Sequence, residues 1–140
     1  MKEAVTADDL GKVIWLRFRI LREPWGQPFE SSTDGNEEAC VNAFIDMDGV
    51  AVACGRLQSL DKNSAQVRFM AVDKEHQGRG FGRDILEYLE QRAKDLGFQK
   101  ICLQARENAV KFYERQGYVV TEKSFLLWGQ IQHYLMVKSI

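Results

Sequence analysis

Alternating apolar and polar positions predict β-strands in the first half of the chain. Residues 39–46 alternate, and the turn sequence DMDG at 46–49 leads into residues 50–60, which together predict a β-hairpin. Residues 65–72 predict a third long strand. Successive side chains of a strand point to opposite faces, so Val67, Phe69 and Ala71 are expected on one face, and Gln66, Arg68, Met70 and Val72 on the other.

Apolar residues at helical spacing predict three helices. Thr6 and Asp9 form a T-x-x-D capping box, and the apolar stripe after it runs to Pro24, which ends the helix. Residues 82–96 and 107–116 predict the other two helices, because each is apolar on one face and is followed by glycine.

The remaining segments complete an α/β pattern. Residues 29–38 are polar and acidic and predict a mobile, solvated loop, whereas residues 100–105 predict a buried strand. Residues 2–5 predict a short first strand, and 118–122 with 133–138 predict the last two. The order of elements favours an α/β fold in one domain, 1–140, with a mixed central sheet of about six to seven strands and helices on both faces.

Composition narrows the function classes. The net charge of −1, from 19 basic and 20 acidic residues, gives no reason to expect a nucleic-acid partner. No apolar run approaches ~18 residues, so we expect no membrane span. Three cysteines, an odd number in apolar runs, favour a reduced, cytoplasmic protein. Neither these cysteines nor the two histidines have metal-ligand spacing, so we expect no metal.

A glycine-rich stretch, QGRGFG at 77–82, separates the third long strand from the second helix. Glycines expose backbone N–H groups, and a helix N-terminus adds a positive dipole end, so this arrangement predicts a phosphate site. A Walker A loop would end in GK[ST], which is missing here. A Rossmann fingerprint would need a third glycine where Arg83 stands. Both nucleotide interpretations therefore fail on spacing.

Two motifs together resemble those of one known superfamily. The stretch 77–82 resembles Q/R-x-x-G-x-G/A, the pyrophosphate loop of the GNAT N-acetyltransferases, and ENAVKFYERQGY at 107–118 resembles their second signature, A-x-x-F-Y-x-x-x-G-F/Y. The terminal segments also resemble an ElaA-like bacterial branch. The resemblance implies the GNAT fold and an enzyme that transfers an acetyl group from acetyl-CoA to a primary amine of a small molecule, by direct attack in a ternary complex.

The resemblance also implies roles for individual residues. Tyr113 matches the tyrosine that protonates the leaving thiolate, and the backbones of Met70 and Val72 would pair with the pantetheine arm. Many members carry asparagine where this chain has Arg106, so the pantetheine contact from the third helix stays unassigned. The amides that would hold the pyrophosphate are those of Gln77, Gly78, Arg79, Gly80, Phe81, Gly82 and Arg83.

The acceptor site has weaker candidates, each with a structural alternative. Arg17 would bind an acidic substrate group or extend to solvent at the helix edge. Arg22 and Arg68 would do the same or form surface ion pairs, and His133 would contact the acceptor or be a structural histidine. Two rival functions stay open, an acyl-CoA sensor without turnover and a nucleotide-binding protein. A homodimer stays open as well, since members of the superfamily often dimerise.

Overall fold

The computed structural model describes residues 1–140 and contains a seven-stranded mixed sheet in the order β1-β2-β3-β4-β5-β7-β6. Only β4 and β5 run parallel; every other neighbouring pair is antiparallel. The predicted α/β class with a mixed sheet is therefore confirmed. The strands are β1 Lys2–Glu3, β2 Val41–Met47, β3 Val50–Ser59, β4 Ser64–Val72, β5 Lys100–Arg106, β6 Val119–Leu127 and β7 Ile131–Ser139.

Three α-helices accompany the sheet: α1 Ala7–Arg17, α2 Phe81–Asp95 and α3 Val110–Arg115. The predicted cap is present, because Thr6 Oγ1 accepts a hydrogen bond from the Asp9 N–H. The prediction of one helix from this cap to Pro24 is wrong. After Arg17 the chain widens into a π-helix, Phe18–Arg22, whose last bond runs from the Glu23 N–H to the Phe18 carbonyl.

Helices cover both faces of the sheet, as predicted. On one face, Ile85, Leu86 and Leu89 of α2 and Tyr113 of α3 belong to the larger buried cluster. On the other face, Val13 and Leu16 of α1 pack in a second buried cluster with Phe44. The sheet is thus a middle layer between two apolar interfaces, and a functional group can approach it only at an edge or an opening.

A β-bulge in β4 changes which side chains share a face. Cys54 pairs with Ala71 and Arg56 with Arg68, so Gly55 of β3 faces two residues of β4. One of them, Phe69, has a φ of +55°. The predicted faces are therefore wrong beyond the bulge. Met70 and Val72 pack with Val67 against the α2 side, and Ala71 packs against the α1 side.

Candidate active site

The central opening in the sheet lies between the two parallel strands. Pairing of β4 with β5 ends at Val67 and Leu103, although both strands continue. Beyond this point the strands border a cleft of about 1390 Å³. The backbone of β4 after Val67 therefore has a free edge facing the cleft, which another extended chain can pair with.

The glycine loop forms one end of this cleft. Gly78 and Gly80 have φ values of +83° and +82°, in the left-handed region that favours glycine. Helix α2 follows at once, and its first intrahelical bond runs from the Asp84 N–H to the Gly80 carbonyl. The N–H groups of the three residues between them have no acceptor in the preceding turn, so they are available to an anion.

Gly82 serves a different purpose from the other two glycines of the loop. It has no positive φ, and a Cβ there would lie 3.4 Å from Phe112 and 3.5 Å from Val72. Its small size therefore lets α2 approach α3 and the end of β4. The Gln77 side chain also ties the loop to this strand end, since its Nε2 donates to the Val72 carbonyl at 3.2 Å.

Positive charge dominates the lining of the cleft. Seven basic side chains line it but only one acidic side chain, Glu107, although the whole chain carries a net charge of −1. Three of the basic residues lie in or next to the glycine loop: Lys74 in the 3₁₀ turn before it, Arg79 within it and Arg83 at the start of α2. This end of the cleft suits a ligand with several phosphate charges.

Tyr113 lines the same cleft as the free edge of β4. It is 7% exposed, and its ring packs edge-on against Phe112 and Tyr118. Burial raises the pKa of Tyr113 well above its usual value of 10. Its hydroxyl makes no hydrogen bond within the protein, so a neutral phenol is available to give a proton to a group in the cleft.

Arg17 lies outside the cleft. Its side chain is fully buried, and its guanidinium donates to both carboxylate oxygens of Glu37, at 2.8 and 3.1 Å. It also donates to the Asn42 side chain and the Ser32 carbonyl. We therefore leave Arg17 out of the acceptor site, because all of its contacts are structural.

The acidic segment before β2 is anchored rather than solvated. Glu37 is 8% exposed and Asp34 binds Arg56 through both carboxylate oxygens, at 2.6 and 2.8 Å. The segment also contains two short 3₁₀ turns, Phe29–Ser32 and Glu37–Ala39. The prediction of a mobile, solvated loop is thus wrong, because two arginines buried on the sheet and α1 require these carboxylates.

The ring of Phe69 is the common contact of four arginines. The guanidinium carbons of Arg17, Arg68 and Arg56 lie 4.3, 4.7 and 4.9 Å from its centroid, and that of Arg22 lies 5.7 Å away. The ring offers each cation its electron-rich π system. The bulge brings Phe69 to the lining of the cleft, and Arg68, which also lines it, donates to Asp34 at 3.3 Å.

His133 and Arg106 stand side by side across β5 and β7, where they are paired in register. The ring of His133 stacks on Phe125, and its Nδ1 lies 3.0 Å from the Ile131 carbonyl. A carbonyl only accepts, so Nδ1 carries the proton and Nε2 keeps a lone pair. Burial lowers the pKa of His133, and the charges of Arg106 and Arg22 lower it further.

Sequence reasoning missed several residues of this region. The available signal was the presence of a charged residue within an otherwise apolar segment, as at Arg17 and Arg56. A buried arginine needs an acidic partner that is buried with it. Nothing in the local pattern identifies which acid that is. The missed partners are Asp34, Glu37, Asn42 and Arg56, and the cleft-lining residues to which the sequence assigned no role are Phe69 and Arg106.

The chain is similar to known acetyltransferases along most of its length. Residues 10–118 match the family model described as the Acetyltransferase (GNAT) family. A curated relative, the uncharacterized N-acetyltransferase YjcF of Bacillus subtilis, is 29% identical over 137 residues, which cover 97% of this chain and 96% of the relative.

Solved structures share the fold at low sequence identity. The crystal structure of Escherichia coli ElaA has a TM-score of 0.82 at 16% identity, covering 96% of this chain and 92% of that one. An aminoglycoside 6'-N-acetyltransferase complexed with coenzyme A has a TM-score of 0.79 at 14% identity, with the same coverage. None of the helices here has the length and apolar character needed to cross a membrane. The matched residues and this fold confirm the resemblance: the chain belongs to the GNAT acetyltransferase family and is an enzyme of the acyltransferase class.

Proposed function

We propose that this protein transfers the acetyl group of acetyl-CoA to a primary amine of a small molecule, within one domain spanning residues 1–140. One observation carries the proposal. An anion-binding loop, a strand edge without a partner and an unbonded tyrosine hydroxyl all line the same cleft. Each of the three suits a different part of acetyl-CoA: the pyrophosphate, the amide-containing arm and the thioester sulfur.

The cofactor would enter through the opening between β4 and β5. The loop amides from Gln77 to Arg83 would hold the pyrophosphate, with the loop's basic side chains adding charge. The backbones of Met70 and Val72 would pair with the pantetheine arm as a further strand pairs with a sheet edge. Arg106 occupies the usual asparagine position but turns to the Leu21 carbonyl, so it is not assigned to the arm.

Catalysis would require three tasks of the protein. An N–H near the β4 bulge would stabilise the oxyanion that forms when the amine nitrogen bonds to the thioester carbon. As the carbon–sulfur bond breaks, the phenol of Tyr113 would give its proton to the sulfur. The amine also loses a proton, and Nε2 of His133 is the acceptor that the structure favours, because its lone pair is held free by the Nδ1 contact.

The sensor alternative accounts for less of the cleft. A protein that only senses acyl-CoA needs the loop and the strand edge, but it needs neither a neutral phenol nor a histidine with a free lone pair in the lining of the cleft. In this proposal the amine acceptor binds in the part of the cleft lined by Arg22, Phe69, Arg106 and His133, which is the acceptor end.

The protein would work in a reducing compartment such as the cytoplasm. Its three cysteines support this location, because none is paired in a disulfide.

Two measurements test the proposal. Isothermal titration should show micromolar or tighter binding of acetyl-CoA, with no binding of ATP or NAD at the same concentrations. A panel of small amines with acetyl-CoA, followed by free thiol release and mass spectrometry of the products, should then reveal an acetylated amine. Binding without any transfer would support the sensor, whereas binding of NAD in place of acetyl-CoA would overturn the assignment of the cleft.

A further inference from the structure

Two arginines meet at the acceptor end of the cleft without any carboxylate. The Nε of Arg22 donates to the Ser31 carbonyl, and its Nη1 donates to the Leu21 carbonyl at 3.3 Å. The Nη2 of Arg106 donates to the same Leu21 carbonyl at 3.0 Å. Both residues are partly buried and line the cleft, and neither guanidinium forms an ion pair with a carboxylate.

The other arginines around Phe69 are neutralised by the fold. Arg17 and Arg56 share Glu37, and Asp34 binds Arg56 and Arg68. Each of these three arginines near the bulge is therefore paired with a carboxylate of the same chain. For Arg22 and Arg106 it supplies only carbonyl oxygens, which satisfy single N–H groups but leave the positive charge in place.

A tryptophan is held against these two guanidinium groups. The centroid of Trp128 lies 5.3 Å from the guanidinium carbon of Arg22 and 6.0 Å from that of Arg106. Trp128 belongs to the turn between β6 and β7 and has a φ of +52°, which is unusual for a bulky residue. Backbone strain of this kind persists where the position of a side chain matters, and here it brings the indole to both cations.

The repulsion between Arg22 and Arg106 favours binding of an anion between them. Burial lowers the pKa of Arg22 to about 10, and the neighbouring charge of Arg106 is the next cause. Burial also lowers the pKa of Arg106. Two like charges that are partly removed from water oppose each other, and a planar or tetrahedral oxyanion between them would remove this cost while accepting several N–H groups.

We propose that the amine acceptor carries an acidic oxygen group, a carboxylate or a phosphate, which Arg22 and Arg106 bind. His133, the registered neighbour of Arg106, then lies beside the acceptor and not beside the cofactor phosphates. The inference rests on the proposed acetyl transfer and names the substrate class of that same site. It makes Arg106, at the position where many relatives carry asparagine, an acceptor-binding residue.

Matched acceptor pairs test this inference at saturating acetyl-CoA. Amino acids are compared with their carboxamides, and amino-alcohol phosphates with the parent amino alcohols. We expect the acidic member of the best pair to have a kcat/KM about ten- to hundredfold higher, as is typical for charge-assisted bonds. Whether the best pair contains a carboxylate or a phosphate identifies the group. Equal or better turnover of the neutral members would overturn the inference.

Variants then assign the effect to the two arginines. Arg22→Gln and Arg106→Gln should each raise KM for the acidic acceptor about tenfold or more, with little change in KM for acetyl-CoA. Arg22→Lys should keep part of the affinity, because it keeps the charge. Arg92→Gln, which removes a positive charge on α2 outside the cleft, is the matched control and should change neither constant. A rise in KM for acetyl-CoA would instead place these arginines at the cofactor and overturn the inference.

A binding measurement separates this inference from the proposed function. The intrinsic fluorescence of the CoA complex, which includes Trp128, is titrated with each member of the same pairs. A change that saturates with the acidic members, and weakens in Arg22→Gln, supports the anion site even if no acetyl group is transferred. Absence of any difference between acidic and neutral members overturns the anion site, although transfer to neutral amines would leave the proposed function intact.

Discussion

Arg17 and Glu37 form a two-pronged ion pair in the interior of the protein, although they are 20 residues apart in the chain. The pair joins the end of α1 to the segment that precedes β2. Glu37 also accepts bonds from Thr33 and Arg56, so one carboxylate connects the helix, the segment and the sheet. This network therefore fixes α1, the acidic segment and the sheet relative to one another.

Glu37→Gln should therefore destabilise the fold by about 3–5 kcal/mol, because it leaves Arg17 buried without its counter-charge. Thermal and urea unfolding measure the loss. Asp8→Asn, which removes the exposed pair with Lys12 on α1, is the matched control and should leave Tm nearly unchanged. A Glu37→Gln variant as stable as the wild type would show that the pair has no structural role.

The same carboxylate predicts a pH dependence. Burial alone raises the pKa of Glu37, but the bonds from Arg17 and Thr33 outweigh it, and the pKa in the fold lies below its ordinary 4.5. Its contribution is therefore present above about pH 4.5 and is lost as the pH falls through the folded value. Wild-type Tm should fall more steeply below pH 4.5 than the Tm of Glu37→Gln.

Gly55→Ala should disrupt the bulge. A Cβ at Gly55 would lie 2.5 Å from the Met70 sulfur and 2.8 Å from the Ile85 methyl carbon, so α2 and the Met70 side chain must move away from β3. We expect a loss of about 1–3 kcal/mol in chemical unfolding. Gly11→Ala, in α1 with no atom near the new Cβ, should stabilise the protein instead. Equal effects of the two substitutions would contradict the close packing at Gly55.

Gly80→Ala should weaken acetyl-CoA binding. Its φ of +82° is unfavourable for alanine, and relief of the strain would turn loop amides away from the anion. Gly97→Ala has the same strain, at φ +90° after α2, but lies outside the cleft. Both variants should lose similar stability in thermal unfolding, while isothermal titration shows lower affinity only for Gly80→Ala. Unchanged affinity would argue against the loop as the pyrophosphate site.

Tyr113→Phe should lower kcat about 10²–10⁴-fold, because the leaving sulfur no longer receives a positioned proton. The Kd for acetyl-CoA should change little, since the ring still fills its place. Tyr118→Phe is the control: it also removes a buried hydroxyl, one that donates to Glu90 at 2.8 Å outside the cleft. It should cost stability but not kcat, and a Tyr113→Phe enzyme of full activity would remove the tyrosine from the mechanism.

His133→Gln should remove the acidic limb of the pH–rate profile. Burial lowers the pKa of His133 from 6.5, so its neutral, proton-accepting form predominates at neutral pH. Wild-type kcat/KM should hold above pH 6.5 and fall only below it, as the ring becomes protonated. His76→Gln changes the other histidine and should keep this acidic limb. An unchanged limb in His133→Gln would assign the titration to the substrate amine or another group.

Several features followed from local patterns alone. The capping box at Thr6, the hairpin of β2 and β3, and helix α2 depend on neighbouring residues, so spacing was enough to predict them. The glycine loop was predictable for the same reason, because left-handed backbone at Gly78 and Gly80 is a local requirement. The resemblance in two motifs also singled out Tyr113, which the structure places in the lining of the cleft.

Other features depended on contacts between distant segments. The bulge at Phe69 is a shift in the register between β3 and β4 around Gly55. It depends on the pairing of two strands, so no pattern within β4 alone predicts it. The π-helix after Arg17 likewise interrupts a stripe that looked continuous. The polar composition of residues 29–38 predicted exposure to solvent. Arg17 and Arg56, elsewhere in the chain, instead bind the carboxylates of Glu37 and Asp34.

The sequence by itself therefore determined the family, the α/β order of elements and the glycine loop, because each depends on short-range spacing and residue type. Only the tertiary structure decided which arginines serve the fold and which face the cleft. Arg17 and Arg22 look equivalent in the sequence, yet one meets Glu37 and the other meets Arg106. The physical reason is that the role of a buried arginine depends on whether a carboxylate lies next to it. The carboxylates come from distant segments of the chain, which only folding brings together.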